Sequence, residues 1–173
     1  MSFQLHSALV TAAALAVTAL HAADVDTTPG VTLTSSSPGN KYIGNGTLAV
    51  SGGSTVALGT GSGSPTTEFA MTGGLIHIVA GTTLRNGGWQ KGLWTNNQAA
   101  MQVDGSFDNW DGNPVTIDAL TGSGTVVKGN SGGAPSSLTV GVNNGSGTFS
   151  GTISNALGHI AFTKVGGGTQ TLT

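Results

Sequence analysis

Apolar residues along this chain alternate with small or hydroxylated ones in short runs that are too brief for helices. Past the first two dozen residues, no segment of about a dozen positions repeats its apolar side chains at the 3.6-residue period of a helix. Alternation predicts strands instead, over Val31–Thr34, Thr47–Val50, Thr55–Leu58, Leu75–Val79 and Ala100–Val103. It predicts further strands over Val115–Ile117, Thr125–Val127, Leu138–Val142, Ile160–Thr163 and Gln170–Thr173. Glycine, asparagine or proline separates nearly all of these runs, as turns require. The chain is therefore expected to be all-β.

A repeated tetrapeptide narrows the choice of all-β fold. Gly-x-Gly-Thr occurs at Gly44–Thr47, Gly122–Thr125, Gly145–Thr148 and Gly166–Thr169, the last three starting 23 and 21 residues apart. A weaker relative, Gly81–Leu84, lies between. A unit of about 20 to 25 residues, with two or three short strands and glycine corners, suits one coil of a parallel β-solenoid. Inward Val, Ile, Leu and Phe would then stack on their equivalents in neighbouring coils. At about 4.8 Å per coil, residues 24–173 would form six or seven coils, a rod roughly 30 Å long. A β-sandwich also has many short strands, but it needs no such period.

Composition agrees with strands and turns. Charged residues are only 7% of the chain, against about a quarter in an ordinary soluble domain, while glycine supplies 30 of 173 residues. A disordered Gly/Ser linker is the rival reading, and the 37% hydrophobic content argues against it. The net charge of −2 and five scattered Lys and Arg offer no basic stripe for nucleic acid. With no cysteine there is neither a disulfide framework nor a thiolate site.

At the amino end, Ala8–Leu20 is an uncharged apolar run of signal-peptide length, too short to span a bilayer. Residues 1–23 are read as an export signal, although no Lys or Arg precedes the run. Residues 24–173 are then the mature, secreted or cell-surface region.

The segments Gly145–Asn155 and Ala161–Thr173 resemble the autotransporter-associated β-strand repeat of bacteria. Phe162, Thr163, Lys164, Gly166, Gly168, Thr169, Thr171, Leu172 and Thr173 fit its pattern, with Val165 and Gln170 departing from it. Ile117–Asn130 is similar, so the resemblance is clearest over 117–173. It implies a right-handed parallel β-helix (a single-stranded β-solenoid) in an outer-membrane or secreted passenger region that is not itself a catalyst. The family's membrane barrel does not follow Thr173, so the chain is expected either to be truncated at its C-terminal end or to belong with exported proteins that carry this repeat without a barrel. Membrane attachment would come only through a missing translocator or anchor. An uncovered last coil would invite end-to-end self-association.

Candidate chemistry gathers in Leu84–Asp118, which holds four of the seven acids and all three tryptophans. Asp108 and Asp111 flank Trp110, so a carboxylate pair beside a sugar-stacking ring would suit a polysaccharide-active enzyme of the pectin lyase-like kind. The plainer reading makes the acids turn residues, with Phe107 in the core and Trp110 on it or shielding a corner. Trp89, Trp94 and Trp110, with Asp108 and Asp111, are the candidates for glycan binding. No residue is assigned a catalytic role. His77 alternates with Ile76 and Ile78 and should face outward. His6, His21 and His159 make no metal cluster with it, and no cofactor motif is present. The expected function is a non-catalytic passenger, stalk or adhesin-like scaffold whose ligand would be a surface glycan or protein.

Overall fold

The computed structural model describes residues 21–35, 39–59, 66–87, 92–132 and 135–173, with no helix among them. Trp89 and residues 1–20, which include most of the expected export signal, lie outside the described residues. All strand pairing among the described residues is parallel. Because parallel neighbours need a crossover connection, each strand pairs with one contributed a turn of chain later.

The strands come in cycles of three. The first pass holds β1 (Asp24–Asp26) and β2 (Val31–Leu33), and the second β3 (Lys41–Ile43), β4 (Thr47–Val50) and β5 (Thr55–Ala57). Then come β6 (Glu68–Phe69), β7 (Leu75–Ile78) and β8 (Thr83–Arg85). In the fourth pass Leu93 makes an isolated bridge to Glu68 in place of a first strand, ahead of β9 (Ala100–Val103) and β10 (Ser106–Asp108). β11 (Pro114–Ile117), β12 (Leu120–Thr121) and β13 (Thr125–Val127) form the fifth pass. β14 (Ser136–Val140), β15 (Gly147–Phe149) and β16 (Thr152–Ser154) form the sixth, and β17 (Ile160–Lys164) and β18 (Gln170–Leu172) the last.

Hydrogen bonding sorts these strands into three stacked faces. The first carries β1, β3 and β6 and, further along, β11, β14 and β17. The second carries β2, β4, β7, β9 and β12, continued by β15 and β18 through a bridge from Gly122 to Phe149. The third carries β5, β8, β10, β13 and β16. The chain thus visits the faces in fixed order, as a solenoid does.

Register explains the core. On the second face Leu48, Ile76, Met101 and Leu120 stand in one column, all fully buried. Val56, Leu84, Phe107 and Val126 form the column of the third face. On the first face Tyr42 stacks on Phe69 (ring centroids 5.5 Å apart) and Phe69 on Trp94 (3.9 Å). Each side chain of this kind gains about 1.5–3 kcal/mol by leaving water. The alternate positions face outward, where Thr55, Thr83, Ser106, Thr125 and Thr152 make a hydroxyl column along the third face.

Two expectations change. The coil is not a unit of 20 to 25 residues throughout: Val31 stands opposite Leu48, 17 positions on, whereas Thr47 stands opposite Leu75, 28 positions on. The tetrapeptide also misleads as a ruler. Gly44–Thr47 and Gly166–Thr169 turn from the first face to the second, while Gly122–Thr125 turns from the second to the third. What the copies share is two local demands. The first glycine of three of them has left-handed φ (Gly44 +89°, Gly122 +97°, Gly166 +66°), which suits glycine. The glycine at the third position sits where a coil below leaves no room: a Cβ on Gly46, Gly124 or Gly168 would fall well inside 3.0 Å of the carbonyl oxygen of Thr27, Gly105 or Gly145. Gly145 therefore lies under Gly168, not under Gly166, and the left-handed residue before it is Asn144 (φ 65°).

Candidate functional site

Four tetrapeptides close four of the five strands of the third face: Thr83–Asn86, Ser106–Asn109, Thr125–Lys128 and Thr152–Asn155. Strand register places their last residues in one column at the corner leading back to the first face. Asn86 and Asn109 are buried there and hydrogen-bonded, Asn86 Nδ2 donating to Asn109 Oδ1 at 2.8 Å. The amide of Gly92 donates to Asn86 Oδ1 (3.0 Å), and Asn109 Nδ2 donates to the Asn113 carbonyl (2.8 Å). Burying amide side chains is tolerable only with such partners, and here the partners are the backbone of wide corner loops. Neither asparagine was marked by the sequence reading.

The candidate acid Asp108 lies one position before this column and is committed to it. Its Oδ2 accepts from Arg85 Nε at 3.1 Å and its Oδ1 from the amide of Gly129 at 2.8 Å, with 6% of the side chain exposed. Asp111 is half-buried at the next turn, near Gly87. Trp110 is half-buried, with the Arg85 guanidinium carbon 4.2 Å from its ring centroid. A Cβ on Gly129 would also meet the Trp110 ring at 3.0 Å, so the backbone crowds this indole as well. The structure brings Asp108 and Trp110 together, but through Arg85 and Gly129 and not around an open cleft.

Trp94 must be withdrawn as a surface ring. It is 1% exposed, with one face on Phe69 and Phe107 edge-on to it at 5.8 Å. Its Nε1 is buried without a hydrogen-bond partner. The signal that misled is tryptophan content alone; the inward column it joins is visible only once Glu68 is seen opposite Leu93.

Outside this corner, His77 does face outward between buried Ile76 and Ile78, and its Nε2 lies 2.9 Å from Asp104 Oδ2. Gln102 Nε2 donates to the same oxygen at 2.6 Å. These two hydrogen bonds, the Gln102 one foremost, hold the Asp104 carboxyl below the ordinary carboxylate range. At the start of the stack, His21 Nε2 contacts Glu68 at 2.9 Å, and Lys41 Nζ lies 3.6 Å from the same carboxylate oxygen. Among the described residues no group of three or more His, Asp or Glu side chains is placed to hold a metal ion.

The one charged member of the corner column is Lys128, 1% exposed, whose Nζ donates to the carbonyls of Asn130 (2.5 Å), Gly132 (2.7 Å) and Trp110 (3.4 Å). Beside it lies a surface pocket of about 240 Å³, between the loop after β13 and the loop joining β16 to β17. Comparison of the chain with family models, with curated proteins and with solved structures gave no match.

Proposed function

We propose that this chain is a non-catalytic exported segment of a bacterial surface or secreted repeat protein. It acts as a passenger, stalk or adhesin-like scaffold, its parallel coils winding right-handed and its final coils built from autotransporter-associated β-strand repeats. The observation that carries this reading is the commitment of Asp108, the best acid candidate, to Arg85 and the Gly129 amide, holding neighbouring coils together. A general acid or nucleophile needs an oxygen turned toward substrate. The glycine at the third position of the tetrapeptides also supports it, since a Cβ there would fall well inside 3.0 Å of a carbonyl oxygen in the neighbouring coil.

Export is tested by expressing the full chain in a Gram-negative host and sequencing the amino terminus of the material in the supernatant or at the surface. A new terminus near Asp24 is expected. A cytoplasmic chain still beginning at Met1 would remove the export reading. The scaffold role is tested separately by an assay for reducing or unsaturated sugar ends on a polysaccharide panel. Activity lost in Asp108→Asn or Asp111→Asn, with the fold retained, would establish the enzyme in its place.

A further inference from the structure

We infer that the pocket beside Lys128 binds a small carboxylate of about sugar-acid size. This goes beyond the scaffold reading and does not depend on it. The inference starts from an exchange in the corner column: after Asn86 and Asn109 the stack continues with Lys128 and then Asn155. An asparagine here satisfies backbone groups without adding charge. Lysine adds a full positive charge at a site where only 1% of the residue reaches solvent.

Among the described residues that charge has acceptors but no counter-ion. The three carbonyls fix the ammonium and offset part of its desolvation. The ion pairs among the described residues join His21 and Lys41 to Glu68, His77 to Asp104 and Arg85 to Asp108, and none includes Lys128. A buried, unneutralised ammonium acts on a neighbouring anion with less screening than a surface lysine does.

The neighbouring space suits such an anion. Its lining includes Lys128, Ser131, Pro135, Asn155, Leu157 and His159 and, among the described residues, no Asp or Glu. Ser131 and His159 offer donors at the rim, while Pro135 and Leu157, the latter 62% exposed, offer apolar contact for the body of a ring. One fixed positive charge selects a monoanion.

The test is a titration of the purified full chain with D-glucuronate and, separately, with D-glucose, followed by backbone amide NMR shifts. Glucuronate is expected to move the amides of residues 128–132 and 155–159, and glucose at the same concentration to leave them in place. Lys128→Gln should weaken glucuronate binding at least tenfold. Ala156→Trp, at an exposed position on the pocket wall, should abolish it with the strand circular dichroism unchanged. Should Lys128→Gln fail to fold, Ala156→Trp and the glucose comparison still decide. Equal shifts with glucose, no shift with glucuronate, or wild-type affinity in Ala156→Trp would each overturn the inference.

Discussion

Replacing Gly124 with alanine adds one methyl group at a close approach of two coils. The φ of Gly124 is not left-handed, so the new residue meets no conformational barrier, only crowding. Its Cβ would lie well inside 3.0 Å of the Gly105 carbonyl oxygen and 2.9 Å from both the Asp104 carbonyl carbon and the Val103 carbonyl oxygen. All three are backbone atoms, which cannot turn aside as a side chain would. Relief requires the coils to part by about an ångström, which strains three bonds: Gly124 N to Val103 O (2.7 Å), Thr125 N to Gly105 O (2.9 Å) and Thr152 N to Gly124 O (2.9 Å). Overpacking costs about 1–3 kcal/mol, and each of the three weakened bonds adds up to about 1 kcal/mol, giving roughly 1–6 kcal/mol. At about 2–4 °C per kcal/mol for a chain of this size, the thermal midpoint should fall by roughly 2–24 °C. Gly81→Ala is the control: φ there is +78° with nothing within 4 Å, so only left-handed strain of about 1–2 kcal/mol arises. Circular dichroism melts of the two variants are the assay. If Gly124→Ala melts no lower than Gly81→Ala, the coils do not stack in the register described.

Other perturbations separate burial from surface roles. Trp94→Ala should cost about 3–5 kcal/mol in denaturant unfolding, because the ring lies between Phe69 and Phe107; unchanged stability with lost polysaccharide pull-down would return Trp94 to the surface. For Asp104, the lowered carboxyl means that its contribution to stability is present above its unfolded value of about 3.9 and is lost as pH falls through the still lower folded value. The advantage of the native chain over Asp104→Asn in urea midpoint should therefore be full at pH 6 and shrink below about pH 4. A constant difference across that range would show that the carboxylate is not held by Gln102 and His77.

Thr47–Val50 and Ala100–Val103 could be read from alternation with their observed bounds, because each alternates two buried apolar residues with less buried Thr, Ala or Gln. β1, β6 and β10 could not. Asp24–Asp26, Glu68–Phe69 and Ser106–Asp108 are two or three residues long and place charges on the outer face, leaving a single inward residue and no period to detect. These strands are held by pairing with neighbouring coils and not by local propensity. A better ruler lies elsewhere in the sequence: Thr-Leu-Arg-Asn, Ser-Phe-Asp-Asn, Thr-Val-Val-Lys and Thr-Ile-Ser-Asn align in the observed register, hydroxyl outside, apolar inside and corner residue last. Glycine motifs are more conspicuous but report local backbone demands that arise at more than one corner. The candidate site suffered likewise, since Asp108 and Trp110 were found as types while their true neighbours Arg85 and Gly129 come from other coils.

Because the chain has no cysteine, the stacking can be measured directly with two spin labels at Thr55→Cys and Thr152→Cys, both exposed and at the two ends of the hydroxyl column of the third face. Four coil steps at about 4.8 Å separate them, so a narrow distance distribution centred on about 19 Å, broadened only by the label arms, is predicted. A distribution centred beyond about 30 Å, or one without a defined maximum, would contradict the parallel three-faced stack.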